Sequence, residues 1–553
     1  MRHRQRRSTS FSLPRCRWPA RKATLTLSSQ ARRSRRRCQK RSRRGAQPSL
    51  AVQWLEPRIA FAGLQATEVP FSPQDMTVVG DVTYFSATTA THGGELWKTD
   101  GTALGTVLVK DISVGTWGSS PRGFTAVGST VFFSADDGVN GDELWKTDGT
   151  AQGTVLVKDI AIGTETRWDP ITQTEGEFPA SSTPYGFVAL NNRLFFATSG
   201  TVSGLWTTDG TAAGTVLLTD SYPSGLVSYA GKVFFSASGS LWSTDGTAAG
   251  TAVVTSGLQA SFYSSAGSFA SAVIGGRMVF NGSDDVNGSE LWVTDGTAAG
   301  TMLLKDLAVG GSTYGEYTSP NSSYPSDFTA VGGTAFFTAS DPQNGRELWK
   351  TDGTANGTVL VRDIAPGTVQ EHQWTESGFI QVAVPRSSDP WSLKAFGNTL
   401  LFVADDGTSG RELWKSNGTA EGTVLVKDLL PGKTADGFPL GSGPSDLTRY
   451  NGSVYFLANR DELWKTDGTT AGTVRVKDVD PNNGGDSASG SYASMAVFNG
   501  KLLFADDDGV NGQDLWVSDG TDTGTQRLRT LPAAQVNKAP VGVSKTCLLY
   551  TSD

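Results

Sequence analysis

The sequence predicts an all-β fold: a β-propeller of four-stranded antiparallel blades, with nine repeat units. Three observations predict it. One phrase returns nine times, clearest as Glu95-Leu96-Trp97-Lys98-Thr99-Asp100-Gly101-Thr102 and then Gly105-Thr106-Val107-Leu108-Val109-Lys110-Asp111-Ile112. Runs of Val, Phe and Thr cut by Gly or Asn recur upstream in each full unit and read as strands. No segment holds a 3.6-residue apolar period over three turns, so no helix is predicted. Each unit is too small to bury both faces alone, and stacked four-stranded units are the blades of a propeller.

The chain opens on a segment that cannot belong to those blades. Of 47 basic residues in the 553, 17 fall in residues 1–50, which hold no Asp or Glu. The remaining 30 then face 54 acidic residues, a net charge of −24. A self-repelling block such as Arg32-Arg33-Ser34-Arg35-Arg36-Arg37 has little to bury and is expected to be disordered. We therefore read 1–63 as a basic, export-associated segment. The acidic remainder repels a nucleic-acid backbone, so no nucleic-acid partner is expected. No run reaches 18 apolar residues, so no transmembrane segment is expected either. Cys16, Cys38 and Cys547 all lie outside the repeats, which leaves the fold without a disulfide framework.

The repeats occupy 74–530. Their tryptophans are Trp97, Trp145, Trp206, Trp242, Trp292, Trp349, Trp414, Trp464 and Trp516, spaced by a mean of about 52 residues and by as few as 36 before Trp242. In the second unit the strands are predicted at about 123–127, 130–135, 143–147 and 153–160. Gly128-Ser129 closes the first connection. Asp148 opens the last turn, its carboxylate accepting from a backbone N–H two residues on. A tryptophan at one fixed blade position suits the packing layer between blades, its indole N–H bonded to a main-chain carbonyl. The Lys98 position becomes Thr207, Ser243 and Val293 in other units and reads as a tolerant surface site. Nine units favour a single ring. A longer chain with more blades and a split into two propellers both stay open.

The repeated phrase resembles the Glu-Leu-Trp-x-x-Asp-Gly-Thr repeat family of bacterial exported and surface proteins. That resemblance implies a propeller-like β architecture and an extracellular or cell-surface location, with no catalytic residue or ligand attached. Leu55-Glu56-Pro57-Arg58-Ile59-Ala60-Phe61-Ala62 is similar to an N-terminal element of large planctomycete-type exported proteins, which again implies export. Several copies depart from the repeat. Gly204-Leu205-Trp206 and Ser240-Leu241-Trp242 lack the glutamate, and Asp514-Leu515-Trp516 carries aspartate. The glutamate is therefore not individually catalytic. Asn417 replaces the turn aspartate, which favours a structural role there. Residues 544–553 resemble translated adapter sequence, and 531–553 is read as a C-terminal tail, artefactual or truncated.

Insertions recur after the fourth strand, at Ala161–Tyr185, Ala308–Ser326, Ala365–Trp391 and Leu430–Ser445. Equivalent insertions project from one face, and such faces bind. The turn between the second and third strands should open on that same face. This nominates Trp117, Trp168, Trp374 and Trp391 as binding residues for a glycan or protein. It also nominates Asp136, Asp137, Asp284, Asp285, Asp405, Asp406, Asp506 and Asp507 as oxygen ligands for calcium, although Asp is equally an ordinary turn residue. The sequence holds no HExxH, P-loop, Gly-x-Ser-x-Gly or CxxC motif, and only His92 and His372 lie beyond the tail. The main expectation is an exported, non-enzymatic binding or structural module. A carbohydrate-active enzyme of glycosidase or lyase type on the same scaffold is the alternative, because carboxylates are plentiful.

Overall fold

The computed structural model describes residues 72–169, 173–261, 271–314, 317–375, 378–459, 462–481, 495–508 and 513–528. The chain divides into two units, Met1–Gln65 and Ala66–Asp553, and every described residue belongs to the second. The basic segment, the Leu-Glu-Pro-Arg element and the tail 531–553 lie outside the described residues.

Nine antiparallel sheets follow one another over 72–110, 122–158, 184–219, 224–256, 259–305, 326–362, 391–427, 445–478 and 495–527. In eight of them the four strands are hydrogen-bonded in sequence order. Blade five differs only at its first strand, where Gln259–Ser261 and Ser271–Ile274 both pair with Arg277–Asp284. Blade two shows the pattern, with strands Arg122–Val127, Thr130–Asp136, Asp142–Thr147 and Val155–Lys158. The fourth strand is shorter than predicted at both ends: Gly153 and Thr154 precede it, and Asp159 and Ile160 follow it, where Ile160 N donates to Glu143 instead.

Strand periodicity explains how the blades stack. Successive side chains point to opposite faces of a sheet. In Thr130–Asp136, Val131, Phe133 and Ala135 enter a core shared with blade one, while Phe132 enters a core shared with blade three. The second strand is thus buried on both faces, which is why it is the most apolar run in each unit. Nine such clusters are present, one at each junction. The ninth packs Phe498, Leu503, Leu515, Val517 and Leu528 of blade nine against Phe85 and Ala87 of blade one. The ring is closed, single and nine-bladed. Among the described residues, apolar packing closes it, since no sheet borrows a strand from the other end. The first strands of successive blades are neighbours and form the inner wall. Thr77 Oγ1 donates to the Phe124 carbonyl at 3.1 Å and Thr329 Oγ1 to the Leu393 carbonyl at 3.1 Å, both between adjacent inner strands.

The repeated glutamate is a buried clamp between blades. Glu347 accepts hydrogen bonds from Ile364 N at 3.1 Å, Ser388 N at 3.0 Å and Ser388 Oγ at 2.6 Å. Ile364 lies just past the fourth strand of blade six, and Ser388 just ahead of blade seven. Glu143 holds Ile160, Ala161 and Ser182 in the same way. Glu95, Glu290 and Glu412 repeat the arrangement with Ser119, Ser323 and Ser442. Each of these serines begins a Ser-x-Pro tripeptide, such as Ser388-Asp389-Pro390 or Ser182-Thr183-Pro184. Unit four lacks both the glutamate and the tripeptide. Unit three lacks the glutamate but keeps Ser221-Tyr222-Pro223, and there Thr219 Oγ1 accepts from Ser221 N at 3.3 Å. In blade eight, which has no such tripeptide after it, Glu462 instead pairs with Arg475 of the same blade. Burial pushes the Glu143 and Glu347 carboxyls up to about 7, against the downward pull of the serine hydroxyl and backbone donors.

The Asp-Gly-Thr turn carries no free carboxylate. Asp148 Oδ1 accepts from Thr150 N at 2.8 Å and Thr150 Oγ1 at 2.7 Å. These bonds hold the Asp148 carboxyl below its ordinary value. A Cβ on Gly153 would fall 2.1 Å from that carboxylate, so the second glycine is fixed by contact. Asn417 makes the same bonds through its amide oxygen, to Thr419 N at 3.0 Å and Thr419 Oγ1 at 2.9 Å.

The motif tryptophans sit between blades as expected, but their indole N–H groups do not share one partner. Trp242 donates to a main-chain carbonyl, that of Ala237 at 3.0 Å. Trp206 uses Thr198 Oγ1 and Trp464 uses Glu462. The Nε1 atoms of Trp145, Trp292, Trp349, Trp414 and Trp516 are buried without a hydrogen-bond partner. In four of these five blades, all but nine, the glutamate two residues upstream is committed to the clamp. The ring faces of two motif tryptophans also take a cation from the preceding blade: Lys110 lies 5.4 Å from the Trp145 ring centroid and Lys158 5.4 Å from that of Trp206. The Lys98 position is also more than surface. Lys98, Lys146 and Lys350 donate to Gly149, Gly210 and Gly418, the turn glycine carbonyls of the next blade.

Candidate functional site

The two faces of the ring differ. One carries the Asp-Gly-Thr turns, closed on themselves. The other carries the insertions and the turns between second and third strands, which meet as expected. Thr183 N donates to the Asp142 carbonyl at 3.0 Å, and Asp136 N to the Ser119 carbonyl at 3.0 Å. Three insertions rise as two-stranded ribbons: Thr164–Asp169 with Thr174–Pro179, Gly311–Tyr314 with Tyr317–Pro320, and Thr368–Thr375 with Gly378–Pro385. The fourth, over 430–444, is a loop held by one bridge between Lys433 and Pro439.

The aromatic candidates separate here. Trp117 is 77% exposed in the connection from blade one to blade two, and Trp168 is 61% exposed on the first ribbon. Trp374 lies in the third ribbon, and its side chain is outside the described residues. Trp391 begins the inner strand of blade seven and is half-buried against the core between blades seven and eight. Packing accounts for Trp391, so it does not join the other two on the rim. The sequence reading missed a further apolar set. Val114, Ile162 and Val309 precede a glycine at equivalent points after the fourth strand and are 88%, 83% and 72% exposed. Their signal was the Val-Gly, Ile-Gly and Val-Gly pairs that follow Lys-Asp-(Ile/Leu) in units one, two and five.

The acidic turns lie on this face, and the carboxylates of Asp136, Asp137, Asp284, Asp405 and Asp406 accept hydrogen bonds from their own turns. Asp137 Oδ1 accepts from Val139 N at 2.9 Å and Asn140 N at 2.7 Å, and Asp136 Oδ1 from Gly138 N at 2.7 Å. Asp284 and Asp406 close the same turn on Asn287 and Ser409, and Asp405 accepts from Gly407 N. Asp285 is exposed at a turn tip. Asp506 Oδ1 accepts from Asp507 N, beside 509–512, which are outside the described residues. Among the described residues no three His, Cys, Asp or Glu side chains converge to hold a metal ion.

A cleft of about 550 Å³ opens on the inner strands of blades one, two and three, where those strands begin at the insertion face. Asp75, Arg122, Gly123, Tyr185 and Phe187 line it. Each of the three strands is bulged at this point. Asp75 has a φ of +54°, a left-handed conformation that Asp tolerates. Arg122 forms an ion pair with Asp142. The Tyr185 hydroxyl donates to the Pro223 carbonyl at 2.6 Å, which fixes its ring. Arg122 and Tyr185 stand where Ser224, Ser326 and Ser445 stand in blades four, six and eight. That departure from serine was the available signal.

The fold places this chain in the class of nine-bladed β-propellers. No family model matches it, and neither does any curated protein. Among solved structures it is similar to the computationally designed Ika8 protein, at 12% identity and a TM-score of 0.34 over 74% of this chain and 97% of that one. It is similar to BamB from Moraxella catarrhalis at 11% identity and a TM-score of 0.32, over 74% and 98%. It is similar to a Mycobacterium tuberculosis puromycin-hydrolyzing peptidase at 10% identity and a TM-score of 0.33, over 84% of this chain and 54% of that one. The chain thus spans about half the length of that peptidase. Likeness at this level carries no argument about ligand or reaction. Among the described residues no helix is long and apolar enough to cross a membrane.

Proposed function

We propose that this chain is an exported binding module that captures an extracellular protein or glycan on its insertion-bearing face, without catalysis. The observation that carries the reading is that Trp117, Trp168, Val114, Ile162 and Val309 are all exposed in connections that open on that one face. None of these side chains is needed by the blades, and exposed apolar groups rimmed by polar turns mark interaction surfaces. Exposed aliphatic side chains on the same face as the two tryptophans favour a protein over a glycan, since sugar binding uses aromatic faces with polar partners. The export part rests on the Leu55–Ala62 element and on the repeat phrase. Five of the repeated glutamates, Glu95, Glu143, Glu290, Glu347 and Glu412, support a non-catalytic role: they lie in the interior and are spent on backbone and serine donors.

The test is a screen of immobilised glycans and extracellular proteins against the full chain and a Trp117→Ser/Trp168→Ser variant. The reading expects saturable capture by the parent and its loss in the variant, with the melting temperature unchanged. Capture that survives the double substitution would sink the rim as the site. Turnover of any captured glycan would sink the non-enzymatic reading.

A further inference from the structure

The cleft on blades one to three has a charge that the fold does not balance. At the bulge of blade two, Arg122 is neutralised by Asp142 on the third strand. In blade six the signs are reversed. Asp327 sits at the bulge, and Arg346, at the third-strand register of Asp142, reaches Ser326 Oγ at 2.6 Å beside it. Ser326 Oγ in turn donates to Asp327 Oδ2 at 2.6 Å. In blade one Asp75 occupies the same bulge, but the matching third-strand residue is Gly94, which offers no side chain. Among the described residues Asp75 has no ion-pair partner. Its one hydrogen bond comes from Gly123 N at a long 3.4 Å.

Asp75 is exposed, and it shares the cleft lining with the ion-paired Arg122 and with two aromatic side chains. Phe187 packs where a side chain on Gly123 would stand, its ring within 2.5 Å of the position a Cβ would take. Tyr185 and Phe187 are half-buried and line the same cleft, with Met76 and Phe124 beneath. A carboxylate and aromatic rings lining one cleft attract a cation that carries apolar surface.

We propose that the cleft binds an organic cation: an ammonium or guanidinium group on an apolar body, with Asp75 taking the charge and the rings of Tyr185 and Phe187 flanking the body. The group could come from a free amine or from a basic side chain of a protein. The cleft is a site separate from the rim tryptophans.

The probe is benzyltrimethylammonium, titrated calorimetrically into the full chain, with benzyl alcohol as the uncharged control and an N-acetylated Gly-Lys-Gly amide as the side-chain arm. We expect saturable binding of the cation and none of the alcohol. Asp75→Asn keeps the left-handed backbone, which Asn also tolerates, and should weaken binding at least about tenfold, the loss of a charge-assisted contact. Phe187→Leu should weaken it as well. Asp137→Asn, on the same face but outside the cleft, should leave it unchanged. Tighter binding of the peptide would assign the natural ligand to a protein side chain, and tighter binding of the ammonium to a free amine. Absent binding, an Asp75→Asn variant that binds like the parent, or equal losses in Asp75→Asn and Asp137→Asn would overturn the proposal. Because the rim variant Trp117→Ser/Trp168→Ser should still bind the cation, failure of the cleft and failure of the rim are read separately.

Discussion

Replacing Glu347 with alanine should be among the most costly single substitutions in the ring. The side chain sits in the interior, and three donors converge on its two oxygens: Ile364 N, Ser388 N and Ser388 Oγ. Alanine would orphan two backbone N–H groups and leave the hydroxyl without its acceptor. At about 1–3 kcal/mol for each buried group left unsatisfied, the loss should be about 3–5 kcal/mol. Ser388→Ala removes only the hydroxyl and should cost about 1–2 kcal/mol. Glu347→Gln falls between, because whichever way its amide turns, the NH2 faces one of the two N–H groups. The serine hydroxyl can turn round to accept, but the backbone cannot. Urea unfolding at pH 7 measures all three, and a double cycle between Glu347 and Ser388 isolates their coupling. A Glu347→Ala variant within about 0.5 kcal/mol of the parent would refute the clamp.

Three further outcomes follow from the same geometry. Gly153→Ala drives a methyl into the Asp148 carboxylate and should destabilise by about 1–3 kcal/mol in the same assay. Stability should peak in mild acid. Glu143 and Glu347 are raised to about 7 from 4.5, so their contribution is full below about 4.5 and is lost as pH rises through about 7. Asp148, Asp352 and Asp519 are lowered from 3.8, so theirs is present above about 3.8 and lost as pH falls through the folded value. Melting curves from pH 3 to pH 9, on the order of one per pH unit, check that profile. Millimolar calcium should leave the melting temperature unchanged, because the turn carboxylates already accept their own N–H groups. A rise of several degrees would contradict that account of the turns.

Much of the fold was legible because its physics is local and repeated. Alternating Val and Phe runs state which face of a strand meets which neighbour, and the Asp-Gly-Thr-x-x-Gly spacing encodes a turn that closes on itself. The partner of the glutamate was harder to see. Glu347 and Ser388 are 41 residues apart with a ribbon between them. Only the joint presence of glutamate and Ser-x-Pro in five units links them, and unit three blurs the link by keeping the tripeptide alone. The indole partners were misread because the sequence does not reveal that the neighbouring carboxylate is already committed. The cleft was least legible. Asp75, Arg122 and Tyr185 come from three units, and only the ring brings their inner strands side by side. Trp391 looked like a rim aromatic because it follows an insertion, yet the strand begins on it and turns it toward the core.

The most direct measurement is the melting temperature of Trp145→Ala beside that of Trp117→Ser/Trp168→Ser. Trp145 fills the core between blades one and two under Lys110, and its truncation should cost about 3–5 kcal/mol and lower the melting temperature clearly. Trp117 and Trp168 are exposed on the rim, and their loss should leave the melting temperature where it was. A Trp145→Ala protein that melts like the parent, or a rim variant that melts well below it, would contradict the division between motif residues that build the ring and rim residues that the ring does not need.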